Sequence, residues 1–244
     1  AEAGKHIFVE KPLALTLGEA KDAIAASERN KVTLAVGFNR RFLPAFQALQ
    51  KQNHSGSLGV PLHIEANFSG PFGFGFTDDM WRGTTAENPA GGMAALGIHM
   101  LDAMIHLLGP VKRVTALSRR RVLSAGVDDT TTVQLDFDCG ATGTLTSLMA
   151  TPLNWRLQLF GSEGWAAMAN QQSLEICRLE DPKESNQTFE AVDTLAAELN
   201  AFASAVHEGA PFPVSMSEAL AGVAAMQAIS QSAASGGDGV QVEN

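Results

Sequence analysis

The first part of the chain alternates between short apolar runs and one long helix-forming stretch. Residues 5–12 and 32–38 are rich in β-branched and aromatic side chains, and the stretch between them is rich in alanine. Such apolar runs predict buried strands, while Thr16 as an N-cap, with Glu19 three residues later, predicts the start of a helix. The order strand, helix, strand with short connections predicts a parallel crossover unit.

A second pattern begins at Leu62, where apolar and polar residues alternate over successive short runs. Alternation of this kind predicts strands with one buried face, and tight turns such as Cys139-Gly140 predict that neighbouring strands run antiparallel. The predicted strands cover residues 62–68, 111–119, 131–137, 142–149, 156–160, 165–169 and 174–179.

Four stretches after the first strand–helix–strand unit have the apolar spacing of helices rather than of strands. A strongly apolar helix is predicted between the first two strands, ended by Gly109 and Pro110. The predicted helices cover residues 44–52, 94–108, 190–208 and 217–232, and a last short strand covers 240–242.

These patterns predict two units in the chain. Residues 1–41 form the last strand, helix and strand of a doubly wound α/β domain, and residues 42–244 form an α+β domain with a large, mostly antiparallel open sheet. A parallel strand at the start of a chain leaves its ladder partners unexplained. We therefore expect a further amino-terminal portion before Ala1.

Composition narrows the classes of partner. The net charge of −9, from 17 basic and 26 acidic side chains, offers no basic face for nucleic acid. No apolar run approaches the roughly 18 to 20 residues that a bilayer requires, and no secretory signal pattern opens the chain, so we expect a cytoplasmic protein. A sheet with helices on one face leaves the other to be covered, which predicts a homo-oligomer, a dimer or a tetramer.

Three polar residues of the apolar helix, His99, Asp102 and His106, fall on one side of it. Their residue types also suit zinc, but the spacing is not that of a zinc protease and no thiol is near, so we predict no metal site. Asp102 and His106 have the alternative of satisfying buried groups or each other. His99 follows a glycine-rich segment where a cleft is expected, and its titration range suits proton transfer.

Lys11 is the second candidate, because Pro12 restricts the backbone that aims its ammonium group. A solvated lysine at a strand end is the alternative. The chain has no tyrosine, which excludes a proton relay of tyrosine and lysine. It also has no G-x-G-x-x-G or P-loop pattern, so it shows no phosphate cradle of its own.

Several motifs occur in a characteristic order. They are Glu10-Lys11-Pro12 after a strand, residues 37–42 (GFNRRF) after the next, Trp81-Arg82, residues 89–93 (PAGGM) and residues 97–102 (GIHMLD). Together with Asp128-Asp129-Thr130 and the hairpin at residues 140–143, they resemble the Gfo/Idh/MocA oxidoreductases, the relatives of glucose-fructose oxidoreductase and inositol dehydrogenase.

The resemblance implies a Rossmann domain that binds NAD or NADP and an α+β domain that carries substrate contacts and the oligomer interface. In this family the lysine of the Glu-Lys-Pro motif and the histidine of the Gly-x-His-x-x-Asp motif face the nicotinamide and the sugar or polyol. By position these are Lys11 and His99. Many members have an aspartate four residues before the histidine, where this sequence has Ala95.

We therefore expect an enzyme that transfers a hydride between a secondary alcohol of a sugar, polyol or related small molecule and nicotinamide. His99 takes the alcohol proton, Lys11 polarises the oxygen and Asp102 orients His99 or a substrate hydroxyl. The alternative is an inactive ligand-binding or oligomerising module. The expected contacts are Glu10, Lys11, Pro12 and Arg40 for the cofactor, and Asn39, Trp81, Arg82 and His99 for the substrate.

Overall fold

The chain opens with a small parallel sheet, seen in the computed structural model, which describes residues 1–243. Strand β1 (Ile7–Glu10) pairs in parallel with β2 (Leu34–Gly37), and helix α1 (Leu17–Arg29) connects them. Thr16 caps α1: its hydroxyl accepts from the Glu19 amide while the Glu19 carboxylate accepts from the Thr16 amide. The predicted crossover unit is confirmed.

The rest of the chain is built on a nine-stranded sheet. Its strand order is β10-β9-β8-β7-β3-β6-β5-β4-β11, and every neighbouring pair is antiparallel except β3 with β6. The prediction of a mostly antiparallel sheet is confirmed. The strands are β3 (Pro61–Ser69), β4 (Val111–Arg119), β5 (Thr130–Phe137), β6 (Thr142–Leu148), β7 (Asn154–Gly161), β8 (Gly164–Asn170), β9 (Ser173–Arg178), β10 (Ser185–Thr188) and β11 (Val240–Gln241).

The α-helices of this part of the chain are α2 (Pro44–His54), α3 (Ile98–Leu108), α4 (Thr194–His207) and α5 (Met216–Ala234). Helix α3 is buried along nearly its whole length, as its apolar sequence predicts, and it lies between the sheet and α5. A smaller apolar cluster of Val36, Phe38, Ile98, Val214 and Ala219 joins β2 to the starts of α3 and α5. Packing of this kind fixes the first unit against the start of α3.

The segment before α3 differs from the sequence prediction of one continuous helix. Residues Met93–Gly97 form a π-helical turn, and α3 proper begins at Ile98. The loop before this turn is held by close contacts: the Thr131 hydroxyl donates to the Ala90 carbonyl, and a β-carbon at Gly91 would collide with the carbonyl of Asp128. Wider turns of this type are frequent at functional sites.

One strand of the sheet and the membrane-crossing capacity of the helices remain to be described. Strand β10 was not predicted, because all four of its residues are exposed and polar and so give no alternating pattern. Across residues 1–243, none of the helices combines the length and the apolar character needed to cross a membrane.

Candidate active site

Lys11 lies at the carboxyl end of β1 and reaches across to the π-helical turn. Its ammonium nitrogen donates hydrogen bonds to the carbonyl oxygens of Ala94, at 3.2 Å, and Ala95, at 2.9 Å. An ammonium group has three hydrogens, so these bonds leave one donor for another acceptor. Lys11 is therefore an anchored side chain rather than a solvated one.

Burial lowers the pKa of Lys11 from its ordinary value. The negative charge of Glu10 opposes this shift, and the positive charges of Arg82 and Arg40 add to it. An ammonium group whose proton is held less tightly can give that proton to a substrate oxygen more readily. Burial first, and the three charged neighbours after it, therefore set how readily Lys11 gives up its proton.

His99 lies in the first turn of α3, four residues after Ala95. Its ring makes edge contacts with Phe38, at 6.2 Å between centroids, and packs at a tilt on Phe68, at 6.1 Å. Its Nδ1 atom is buried and has no hydrogen-bond partner. A buried polar atom left in this way in an aromatic pocket calls for a functional explanation.

The environment of His99 favours the neutral imidazole. Burial lowers its pKa well below the ordinary histidine value, and the positive charges of Lys11 and Arg40 lower it further. The bond of Lys11 to the Ala95 carbonyl holds this charge at the turn that leads into His99. A neutral imidazole at neutral pH is able to accept a proton.

A cavity of about 730 Å³ lies between the end of β1 and the π-helical turn. Five of the predicted site residues line it: Glu10, Lys11, Pro12, Trp81 and Arg82. The remaining wall is mostly apolar and is formed by Ala14, Leu15, Phe72, Phe76, Glu87, Asn88, Ala94, Ala95 and Leu96. A largely apolar cleft with a few convergent polar groups is the usual form of a small-molecule site.

The other predicted contacts lie outside the lining of this cavity. His99 is set one turn beyond the lining residues Ala94 and Ala95. Asn39 donates from its side-chain nitrogen to the Thr194 hydroxyl at 3.1 Å, and this bond connects it to α4. Arg40 lies with its guanidinium 6.0 Å from the centroid of the Phe68 ring, and its Nε is buried without a partner.

Asp102 differs from the expectation that it orients His99. Both of its oxygens accept from Arg41, at 2.7 Å from Nε and 2.8 Å from Nη2, and both side chains are almost fully buried, at 2% and 5% exposure. The bidentate geometry of a guanidinium and a carboxylate gives this pair its strength. Asp102 thus fixes α3 to the segment after β2, and in this structure both of its oxygens are used by Arg41.

The same network accounts for His106. Glu218 of α5 accepts from Arg41 at 3.2 Å and from Nδ1 of His106 at 2.6 Å. Asp102 and His106 therefore have protein partners, which are neither each other nor a shared metal ion. Among residues 1–243 there is no group of three or more histidine, cysteine, aspartate or glutamate side chains arranged to hold a metal.

Sequence reasoning missed Glu198, which is 2% exposed on α4. Its Oε1 atom is buried and has no hydrogen-bond partner. Burial raises its pKa to about 7, and the negative charges of Glu10 and Asp102 add to the rise, against the Phe38 amide and the charge of Arg40. The hydropathy pattern gave no signal, because Leu195 and Leu199 of the same helix are the exposed residues.

Family models match most of the chain. The model described as the GFO/IDH/MocA C-terminal domain matches residues 46–167, which is half of the sequence. The model described as the oxidoreductase family with an NAD-binding Rossmann fold matches residues 1–38.

Relatives with named activities match as well. D-apiose dehydrogenase of Paraburkholderia graminis is 31% identical over 184 residues, which cover 72% of this chain and 48% of that protein. Myo-inositol 2-dehydrogenase of Thermotoga maritima is 27% identical over 231 residues, which cover 88% of this chain and 66% of that protein. The chain spans about half the length of the first curated relatives that it matches.

A solved structure shares the fold. Levoglucosan dehydrogenase in complex with NADH and levoglucosan superposes with a TM-score of 0.89 at 22% identity, over 100% of this chain and 75% of that one. At this identity the likeness concerns the fold. It extends through both the small parallel sheet and the nine-stranded sheet.

Proposed function

Because the chain belongs to the Gfo/Idh/MocA family of oxidoreductases, we propose that the protein containing it transfers a hydride between a secondary alcohol and the nicotinamide of NAD or NADP. The alcohol belongs to a sugar, a polyol or a related small molecule, the class to which apiose, inositol and levoglucosan belong. Residues 1–41 are assigned to the nucleotide-binding domain and residues 42–244 to the substrate domain.

The observation that carries this proposal is the attachment of Lys11 to the helical turn that leads into His99. Two bonds fix the ammonium to the carbonyls of Ala94 and Ala95, and His99 follows Ala95 by four residues. The charge of Lys11 contributes to lowering the pKa of His99. A cation that polarises an oxygen and a neutral base that accepts its proton are the two groups that alcohol oxidation requires.

The residues present fit the reactive end of a nicotinamide cofactor. The cavity beside Lys11 is mostly apolar, and Trp81 and Arg82 stack at its mouth with 4.7 Å between the guanidinium and the ring. Glu10, Lys11 and Pro12 form the wall at the end of β1, where open α/β sheets place their ligands. When bound there, the nicotinamide supplies the hydride acceptor or donor.

The side chains of this chain then divide the proton chemistry between them. His99 takes the hydroxyl proton at Nε2, since its Nδ1 is enclosed by protein. Lys11 uses its remaining N–H to donate a hydrogen bond to the same oxygen. This bond stabilises the negative charge that develops on the oxygen as its proton leaves. This arrangement requires the substrate oxygen to lie between Lys11 and the first turn of α3, at the inner end of the cavity.

Asp102 contributes through structure. Its bond to Arg41 fixes the rotation of α3, and the position of His99 on that helix follows from it. We therefore assign Asp102 as a positioning residue. We also assign Asn39 as a positioning residue, because its hydrogen bond to the Thr194 hydroxyl connects the segment after β2 to α4.

We place the interface of the proposed homo-oligomer on the exposed face of the sheet. Strands β5 and β6 alternate buried and exposed residues, and the exposed row is rich in threonine. Light scattering coupled to size-exclusion chromatography tests this assignment. A monomeric mass at micromolar concentration would contradict it.

Turnover assays of the intact protein test the proposed function. Reduction of NAD and of NADP at 340 nm is followed with a panel of pentoses, hexoses, anhydrosugars and inositols. Activity on at least one member, lost in Lys11→Met, is the expected result. If nicotinamide fluorescence shows no binding of either cofactor and no substrate is turned over, the chain is instead a ligand-binding or oligomerising module.

A further inference from the structure

A second cavity, of about 440 Å³, lies where the starts of β7, α2 and α4 meet the turn between β8 and β9. It shares no lining residue with the cavity beside Lys11. Small-molecule sites commonly have volumes of about 300 to 1,000 Å³, so this cavity is large enough for a ligand. The chemistry proposed for Lys11 and His99 makes no use of it.

Trp155, the second residue of β7, forms part of the wall of this cavity and is 7% exposed. Its indole nitrogen is buried, and no atom of residues 1–243 accepts a hydrogen bond from it. A buried tryptophan N–H usually has an acceptor, because leaving a buried donor unpaired costs free energy. The cavity is the space beside Trp155 in which an acceptor from outside the chain can lie.

The polar part of the lining is almost uncharged. It consists of four carboxamide side chains, a hydroxyl group and one carboxylate, from Asn154, Asn170, Gln171, Gln172, Thr194 and Glu190. The lining contains no lysine, arginine or histidine to balance an anion. A single carboxylate is also a poor match for a hard metal cation, which takes six or more oxygen ligands. The lining therefore favours a neutral ligand.

The start of α2 adds hydrogen-bond donors to the same wall, through Leu43 and Pro44. Leu43 stands at the N-cap and has no oxygen in its side chain, so the free N–H groups of the first turn lack the usual cap. The carboxamide groups of the lining both donate and accept hydrogen bonds. A ligand that suits this wall must accept from N–H groups and also donate to carbonyl oxygens, as a hydroxyl group does.

We propose that this cavity binds a neutral saccharide ring. The hydroxyl groups of the ring accept hydrogen bonds from the indole N–H of Trp155 and from the start of α2, and they exchange hydrogen bonds with the carboxamides of the turn between β8 and β9. Its C–H groups contact the apolar part of the wall, which includes Leu153 and Val192. A wholly apolar ligand would leave the polar groups unpaired, at a cost in free energy for each.

Two contacts connect this cavity with the residues around His99. The Thr194 hydroxyl accepts from Asn39 at 3.1 Å, and Trp155 is opposite Phe68 in the pairing of β7 with β3. The Phe68 ring packs on His99. Because of this connection the bound ring has two sources, a second ring of the substrate or a separate saccharide, and both present the same chemistry to the cavity.

Titration of the intact ¹⁵N-labelled protein with sucrose or with methyl β-D-glucopyranoside tests the proposal directly. The chain has three tryptophans, and the variants Trp81→Phe, Trp155→Phe and Trp165→Phe assign their indole N–H signals in NMR spectra. The Trp155 signal is expected to move downfield and to saturate, because its N–H gains an acceptor. The signal of Trp165, which lies outside the lining, stays in place.

Two variants with matched controls locate the binding. Trp155→Phe keeps an aromatic ring and removes the N–H, so it weakens the binding of either sugar by roughly 2- to 10-fold, the value of one hydrogen bond. Gln171→Ala weakens it to a similar degree. Trp165→Phe, and Gln134→Ala on the exposed side of β5, leave it unchanged.

Turnover of the intact protein then separates the two sources of the ring. If the ring belongs to the substrate, Gln171→Ala raises KM for a disaccharide and leaves KM for the corresponding monosaccharide unchanged. If it belongs to a separate saccharide, Gln171→Ala leaves both values unchanged.

The binding measurements decide the inference without cofactor or turnover, so its failure is distinguishable from that of the proposed function. A Trp155 signal that does not move with either sugar at about 100 mM, where even binding with a millimolar Kd is nearly complete, would overturn it. Equal affinities in Trp155→Phe and Trp165→Phe would do the same. If Trp155→Phe does not fold, an affinity of Gln171→Ala equal to that of Gln134→Ala overturns the inference.

Discussion

The ammonium nitrogen of Lys11 lies 2.9 Å from the carbonyl oxygen of Ala95, one helical turn before His99. This bond joins the end of β1 to the π-helical turn that leads into α3, and most of the first hundred residues separate these two elements. A lysine held by two backbone carbonyls has a fixed position, and the proposed base, His99, lies on the helix that follows the π-helical turn supplying those carbonyls. The relative placement of the two groups thus depends on these hydrogen bonds and on the apolar cluster that joins β2 to the start of α3.

Lys11→Met tests the contribution of the anchored ammonium. The variant removes the charge that polarises the substrate oxygen, so kcat is expected to fall by at least about tenfold, in line with the contribution of a positioned proton donor. The loss of a nearby positive charge also raises the pKa of His99, and the acid limb of kcat/KM moves to higher pH. Lys112→Met, on the exposed side of β4, is the control. Equal activities of the two variants would contradict the assignment.

The pH profile of the unsubstituted protein gives a second prediction. Burial and the charges of Lys11 and Arg40 hold the pKa of His99 well below its ordinary value. Since His99 acts as a base only when neutral, the main acid limb of alcohol oxidation lies below about pH 6.5, the usual histidine value. A main limb above pH 7 would conflict with a buried neutral imidazole.

Asp102→Asn tests the buried ion pair as a structural element. Breaking a buried pair costs about 3 to 5 kcal/mol, and a value of about 3 kcal/mol is expected here because Glu218 still faces Arg41. Denaturant unfolding measures the free energy of unfolding of Asp102→Asn, and the exposed Asp136→Asn variant is the control. A loss below about 1 kcal/mol would show that the pair does not hold α3 in place.

Glu218 predicts how stability depends on acid. Although burial alone would raise its pKa, the hydrogen bond from His106 and the charge of Arg41 hold it well below the usual range. A carboxylate with a depressed pKa in the folded state stabilises above its unfolded pKa and loses this contribution as the pH falls. Between about pH 5 and pH 3, Tm therefore falls more steeply for the unsubstituted protein than for Glu218→Gln. Parallel curves for the two proteins would refute this.

The alternation of apolar and polar residues predicted β4, β5 and β6 well, because buried and exposed residues alternate along these strands. The Thr16 cap was equally visible, since a capping box is a local signal. Both features depend on residues that are near one another in sequence. Local patterns of this kind are what a single sequence reports best.

The hydrogen-bond partners of the site residues could not be predicted from local patterns, because they are distant in the sequence. Asp102 pairs with Arg41 across 61 positions, and only the packing of α3 on the segment after β2 selects Arg41 rather than Arg40. Glu198 is buried while Leu195 and Leu199 beside it are exposed, the reverse of what hydropathy predicts. The family resemblance identified Lys11 and His99, and the fold was needed to show how they are held.

The most direct test of the account is the kcat of His99→Ala in the intact protein, compared with that of His207→Ala. His207 lies exposed in the last turn of α4, so its replacement leaves turnover unchanged. His99→Ala is predicted to reduce kcat for alcohol oxidation by at least about tenfold, because general acid–base catalysis contributes about 10² to 10⁴. Circular dichroism is expected to show that the variant remains folded. A folded His99→Ala variant with the same kcat as His207→Ala would contradict the assignment of His99 as the catalytic base.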